Sequence, residues 1–229
     1  AGTISRRSAL TPMPRYQLIV FDWDGTLMDS AGAIVRAIQA AAGDLGLPVP
    51  PDARARHVIG LGLNEALQHA VPELSPARYP EMVEAYRHHY LSSDRQLPLF
   101  DGVEAMLDEL RVAGHRLAVA TGKSRIGLDR ALAHSGLAAR FQASRCADEC
   151  HSKPHPQMLE ELMEEFAIEP SATLMIGDTS HDLLMAQNAG VDALAVSYGA
   201  HPEDHLLTHA PLATLSTIKE LAAWLKTNA

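Results

Sequence analysis

The chain has 229 residues, 47% hydrophobic and 21% charged, with a net charge of −9 at pH 7. This composition supports a packed core and excludes a wholly disordered chain, and the length suits one core domain with a smaller insert. The acidic balance argues against a nucleic-acid surface, which would be basic. It leaves room for an anionic substrate wherever a cation or metal reverses the local field.

Residues 1–15 carry the pair Arg6 and Arg7, with no apolar stretch after them before Pro12 and Pro14. A disordered arm or an expression-derived remnant is expected there, not a signal peptide. Residues 16–21, "YQLIVF", are short, apolar and partly β-branched, as in a buried strand. The next residues, "DWDGTLMDS", set Asp22, Asp24 and Asp29 at its end, where mutual repulsion is costly. From 31 to 97 the texture is helical, over 31–46, 63–71 and 76–93, with no convincing strand.

Beyond Phe100 the pattern alternates. A helix is expected over 102–114, a strand over 115–121 and a helix over 124–136. A poorly defined stretch follows, then a helix over 154–168, a strand over 172–178, a helix over 180–190, a strand over 191–197 and a last helix over 216–229. Strands alternating with helices imply an α/β fold with a parallel sheet covered on both faces. The core is therefore expected from 16–30 and 98–229, with 31–97 inserted as a helical unit. Cys146 and Cys150 make no disulfide framework, which favours a reducing compartment and a cytoplasmic location. No apolar run approaches the roughly 20 residues that span a bilayer.

Open parallel sheets bind ligands beyond the carboxyl ends of their strands. Asp22 and Asp24 follow the first strand, Thr121 and Gly122 end the second, and Asp178 ends "ATLMIGD" with Asp182 four residues on. Lys153 sits in a loop before a helix. Singly, each has a structural alternative: Asp and Thr cap helices and fill turns, Asp182 suits a helix dipole, and Lys153 suits a solvated surface. Together, four carboxylates at one edge need a positive partner. An all-oxygen set suits Mg²⁺, and a lysine beside it suits phosphate.

These motifs resemble those of the haloacid dehalogenase (HAD) superfamily. "DWDGT" at 22–26 matches D-x-D-G-T, Thr121 in "VATGKS" matches the second motif, Lys153 in "SKPHPQML" the third, and "GDTSHD" at 177–182 the fourth. The resemblance implies a Rossmann-like parallel core with an inserted α-helical cap, as in the phosphoglycolate phosphatase-like subgroup. It implies that Asp22 is the nucleophile and forms an aspartyl-phosphate. Mg²⁺ would be held by Asp22, the Asp24 backbone carbonyl and Asp178, with Asp182 supporting the metal or Lys153. Thr121 and nearby backbone N–H groups, Gly122 among them, would bind phosphoryl oxygens beside Lys153. Asp24 would be the general acid and base, turned toward the cap and kept protonated by neighbouring carboxylates.

The implied substrate is a small phosphorylated metabolite, phosphoglycolate-like or a sugar phosphate, with no nucleic-acid or membrane partner and a monomeric or homodimeric state. Dehalogenases and phosphonatases of the superfamily lack the second aspartate, present here as Asp24. Mutases resembling β-phosphoglucomutase carry a histidine twelve positions after the nucleophile, where this chain has Ile34. A phosphatase is therefore favoured over a phosphosugar mutase or a pyrophosphatase. A phosphoacceptor domain similar to a response-regulator receiver would need neither Asp24 nor a cap.

Other motifs carry less. "GKS" at 122–124 ends like a P-loop, but the first glycine of that pattern falls on Leu117 within a strand. Gly60 and Gly62 lack the third glycine of a dinucleotide fingerprint and are expected in a cap loop that shapes the substrate pocket. Cys146, Cys150, His151 and His155 match no common zinc spacing and are expected in an active-site loop. "YRHHY" at 86–90 reads as a helix with one exposed and one packed face. Arg54, Arg56 and His57 are either a solvated face or a greeting for an anionic substrate.

Overall fold

The computed structural model describes residues 14–92 and 94–229. The arm expected over 1–15 lies, through residue 13, outside the described residues. The chain opens with β1 (Leu18–Phe21), then α1 (Ala31–Asp44), α2 (Asp52–His57), α3 (Leu63–Ala70) and α4 (Tyr79–Leu91). Next come α5 (Val103–Ala113), β2 (Arg116–Thr121), α6 (Arg125–Ser135), β3 (Ala143–Cys146) and α7 (Gln157–Phe166). The rest is β4 (Thr173–Gly177), α8 (Ser180–Ala189), β5 (Asp192–Val196), α9 (Glu203–Leu207), β6 (Thr214–Leu215) and α10 (Ile218–Asn228).

The strands form one parallel sheet in the order β3-β2-β1-β4-β5-β6. Successive side chains of a strand face opposite sides. Ile19 and Phe21, with Leu117, Val119, Leu174 and Ile176, accordingly pack against α5 and α10. Leu18 and Val20, with Ala118, Ala120 and Met175, pack against α7 and α8. Both faces are covered, which is why β1 is apolar at every position. β1 lies between β2 and β4, where the order of connections reverses, so its carboxyl end opens into the crevice that binds ligands in such sheets.

Helices α1 to α4 bury a second apolar cluster, with Ile34, Val35, Ile38, Leu67, Val71, Met82 and Tyr90 inside it. On α1 the buried positions recur at helical spacing on one face. The chain leaves β1 and returns to α5 along two adjacent segments. Asp29 N donates to Pro98 O at 3.0 Å, and Phe100 N donates to Leu27 O at 3.0 Å.

Four short elements escape the sequence reading: α2, β3, α9 and β6. β3 is an edge strand of four residues, "ASRC", and most of it is only partly buried, so it lacks the apolar run of β1. The helix expected over 76–93 begins as α4 at Tyr79 after one 3₁₀ turn, with Pro80 in its first turn where a missing N–H costs nothing. No described helix is long and apolar enough to cross a membrane.

Ile19 is fully buried in the central strand. Ile19→Ala should lower unfolding free energy by about 2–5 kcal/mol. Urea denaturation followed by circular dichroism measures this, and a loss below about 1 kcal/mol would contradict a closely packed sheet centre.

Candidate active site

The site starts where β1 ends. Asp22 N donates to Ile176 O at 2.9 Å, continuing the ladder toward β4. The chain then turns tightly, with Leu27 N donating to Trp23 O at 3.0 Å and Gly25 N to Met28 O at 2.9 Å. Gly25 has φ +82°, and a Cβ there would collide with the Asp178 carboxylate. Glycine thus lets the turn pass directly over Asp178. Trp23 points into the core, edge-on to Phe141 with ring centroids 6.4 Å apart.

Asp178 follows β4 and is held from two sides. Thr26 Oγ1 donates to its Oδ1 at 2.9 Å, and Ala200 N donates to its Oδ2 at 2.7 Å. Four residues on, Asp182 closes a capping box at the start of α8. Thr179 N and Oγ1 donate to Asp182 Oδ2 at 3.0 and 2.7 Å. The other oxygen of Asp182 accepts from Lys153 Nζ at 2.6 Å, and Lys153 Nζ also donates to Asp22 Oδ1 at 2.7 Å. All four side chains are buried.

One ammonium therefore faces three buried carboxylates. Burial pushes the Asp22 carboxyl well up, with Asp182 and Asp178 adding to it against the pull of Lys153. Burial, then the Asp182 charge, pushes Asp178 up to about 7. Burial opposes the Lys153 charge, but Asp182 and Asp22 outweigh it and raise its pKa. Asp22 Oδ2 is buried with no hydrogen-bond partner among the described residues. One oxygen each of Asp22, Asp178 and Asp182 lie within 4.8 Å of one another. An orphaned oxygen within a dense, all-oxygen donor set fits a hard divalent cation, which would offset the excess negative charge.

Asp24 lies apart from this trio. Its Oδ1 accepts from Ser30 Oγ at 2.7 Å and pairs with Lys123 Nζ at 3.0 Å. Lys123 Nζ also donates to the Tyr90 hydroxyl at 3.0 Å and sits 4.9 Å from its ring centroid. Where neighbouring carboxylates were expected, the Asp24 carboxylate is partnered by the Lys123 ammonium and the Ser30 hydroxyl, with Tyr90 beyond Lys123; Trp23 takes the core position and Asp24 faces the cavity. Asp24 and Lys123 line a cavity of about 650 Å³ bounded by α1, α3, α4 and the loops of the sheet edge.

Thr121 is buried at the end of β2, where its Oγ1 accepts from Lys123 N at 3.2 Å. A Cβ on Gly122 would collide with the carbonyls of Gly60 and Leu61, so the loop over 58–62 rests on this glycine. Gly60 has φ +96° and packs on Thr179, while Gly62 N donates to Ser152 Oγ at 2.9 Å. The His57 carbonyl before this loop accepts from His181 Nε2 at 2.7 Å and His201 Nε2 at 3.1 Å. The helical segment is thereby fastened across the ends of β2 and β4.

A haloacid dehalogenase-like hydrolase family model matches residues 19–196. The chain belongs to this family. It is 36% identical over 210 residues, 89% of this chain and 91% of the relative, to a probable phosphatase, IndB, of Dickeya dadantii (strain 3937). It is 31% identical over 204 residues, 85% of this chain and 90% of the relative, to a phosphoglycolate phosphatase of Vibrio vulnificus (strain CMCP6). The fold is similar to the crystal structure of a predicted phosphoglycolate phosphatase from Haemophilus somnus 129pt, with a TM-score of 0.83 at 24% identity over 95% of this chain and 100% of that one.

The HAD hydrolase motifs thus bring Asp22, Asp178, Asp182 and Lys153 together, with Thr121 one strand away and Asp24 on the cavity side. Arg54 and Arg56 do not line the cavity, and His57 contributes its carbonyl. Burial pushes the Cys146 thiol up to about 12 and the Cys150 thiol up to about 11, the reverse of what a thiolate metal ligand needs. On α4, His88 is exposed, while Tyr86 and Tyr90 face the cavity. Sequence reasoning missed Lys123, although it lies inside "TGKS", two residues past Thr121 at the same strand end. It also missed His201, which sits far along the chain with no motif around it.

His57, His201 and His205 also have ring nitrogens close together. His201 is not a free metal ligand, since its Nδ1 accepts from Ser180 N at 3.0 Å while Nε2 donates to His57 O. Burial pushes His201 down to about 4, so it stays neutral in this role.

The acid trio sets a pH dependence. Between the ordinary 3.8 and about 7, native Asp178 keeps a proton that the unfolded chain has released. Its burial therefore lowers stability as pH rises through that window, and a bound cation removes the cost. His201 acts in the opposite sense below 6.5. Added Mg²⁺ should raise Tm more at pH 8 than at pH 5 by differential scanning fluorimetry. Equal shifts at both pH values would count against the acid trio as the cation site.

Proposed function

We propose that the protein is a Mg²⁺-dependent phosphomonoesterase that hydrolyses a small phosphorylated metabolite through an aspartyl-phosphate on Asp22. The observation that carries this is the buried Asp22 carboxylate, with one oxygen on Lys153 and the other without a partner, next to a cavity on which Asp24 opens. The relatives named phosphatases support the same reading. Residues 31–97 act as a cap over a core of 16–30 and 98–229.

Asp22, Asp178 and Asp182 would hold Mg²⁺, with the Asp24 carbonyl as a further oxygen donor. The ion, when bound, lessens the repulsion between the nucleophilic carboxylate and the phosphoryl oxygens. Lys153 places a second positive charge beside the same carboxylate. Thr121 and the backbone N–H groups after it, Gly122 included, bind phosphoryl oxygens.

An Asp22 oxygen attacks phosphorus, and the bond from phosphorus to the leaving oxygen breaks. Asp24 gives its proton to that oxygen, and Lys123 and Ser30 stabilise the carboxylate left behind. Asp24 then takes a proton from water as the water attacks phosphorus. The bond to Asp22 breaks, releasing phosphate and restoring the carboxylate. Ile34 lines the cavity at the position where the related mutases carry histidine, which favours hydrolysis over isomerisation.

Two variants test the roles of the paired aspartates. Asp22→Asn should show no detectable turnover and no covalent phosphate. More than a few per cent of wild-type rate, with deamidation excluded, would mean that another residue attacks. Asp24→Ala removes both acid and base, each worth roughly 10²–10⁴ in rate. An alkyl phosphate needs the acid and should nearly stop reacting. Nitrophenyl phosphate loses a good leaving group without it, so a burst of about one equivalent should precede a slow phase. Mass spectrometry of the quenched protein should then find phosphate trapped on Asp22. Equal slowing of both substrates with nothing trapped would remove Asp24 from the acid-base role.

A further inference from the structure

The cavity beside Asp24 is much larger than a two-carbon leaving group requires. Its volume of about 650 Å³ lies in the range of about 300–1,000 Å³ that encloses drug-sized ligands. It opens from Asp24 and Lys123, so it receives the part of the substrate beyond the scissile oxygen. Its walls include Ile34 and Ile38 on α1, Val83, Tyr86 and Tyr90 on α4, and Ile126 on α6. The Tyr86 and Tyr90 rings stack at 5.7 Å with only 11° between their planes, which gives α4 a flat aromatic surface.

Of the three lysines and arginines along the cavity, two are already paired with acids. Lys123 is already committed to Asp24 and Tyr90. Arg130 is committed to Asp94 at 2.8 Å. Arg87 is exposed. Ile126 is 78% exposed although it borders the cavity. An apolar side chain left open at such a rim gains burial only when something apolar is seated against it.

We infer that the leaving group is a bulky alcohol bearing a ring with an apolar face, not a two-carbon acid. This rests on the phosphatase reading above. The phosphoryl group sits against Lys153 and the acid trio, while the ring lies between α1, α4 and Ile126. Ile34 adds apolar surface to the same wall.

The test compares 3-phenylpropyl phosphate, propyl phosphate and phosphoglycolate. The first two leave as alkoxides of nearly equal basicity, so only the ring separates them. The ring should raise kcat/KM at least about ten-fold, since one or more buried carbons in an apolar pocket discriminate by about 10–200-fold. Phosphoglycolate should be the poorest of the three. Ile126→Asp changes an exposed position outside the core and should cut the phenylpropyl-to-propyl ratio at least three-fold, on the order expected for losing part of an apolar contact. A wild-type ratio near one, phosphoglycolate as the best substrate, or a ratio unmoved by Ile126→Asp would each overturn the inference while leaving the phosphatase reading intact. Phosphate release from none of the three esters would overturn both.

Discussion

The Lys153 ammonium, buried between Asp22 and Asp182, is the interaction on which the site depends. Taking charges out of water is expensive, and a buried pair is tolerable only when every remaining polar atom is engaged. The surroundings meet that condition almost everywhere. Asp182 spends its second oxygen on the capping box of α8, so the start of a helix and a wall of the site are one structure. Asp178 is satisfied by Thr26 from the β1 turn and by Ala200 from the loop after β5. Among the oxygens of Asp22, Asp178 and Asp182, the one left without a partner is Asp22 Oδ2. Satisfaction of Asp178, Asp182 and Lys153 leaves the unmet demand of this charged cluster on Asp22, the residue proposed to carry the chemistry.

Backbone geometry makes this density possible. A Cβ on Gly25 or Gly177 would overlap a carboxylate of the site, Asp178 in one case and Asp182 in the other. The two motif glycines are therefore spaces into which acids fit. The parallel sheet supplies the rest, because β1 and β4 pair in register and deliver Asp22 and Asp178 to the same edge.

The site has two faces of opposite character. On one, buried charges surround the place proposed for the phosphoryl group. On the other, aliphatic and aromatic side chains of α1 and α4 line a cavity that Glu65, Arg87, Arg130 and Asp148 also border. Asp24 stands at the boundary, held by Ser30 from the turn just before α1 and by Lys123 from just past the end of β2. Lys123 also touches Tyr90 of α4, so one side chain joins the sheet, the acid and the helical segment. The neutral rings of His181 and His201 fasten the same segment through the His57 carbonyl. Charge on one side and apolar surface on the other suit an ester whose two halves differ in the same way.

The sequence by itself determined the parallel α/β core, the helical insert after the first strand and the meeting of Asp22, Lys153, Asp178 and Asp182. Those features rest on periodicity and on short motifs at strand ends, which are local properties of the chain. The edge strand β3 was illegible because it is short and half exposed, so it carries no apolar run. Only the tertiary structure decided what surrounds Asp24. Lys123, Ser30 and Tyr90 come from three separate segments, and their approach depends on how the helices settle on the sheet. Likewise, the Gly60 loop could be guessed, but its seat on Gly122 and its hold by His181 and His201 could not. Contacts between residues distant in sequence leave no local pattern, because each is fixed by the packing of elements rather than by the spacing of residues.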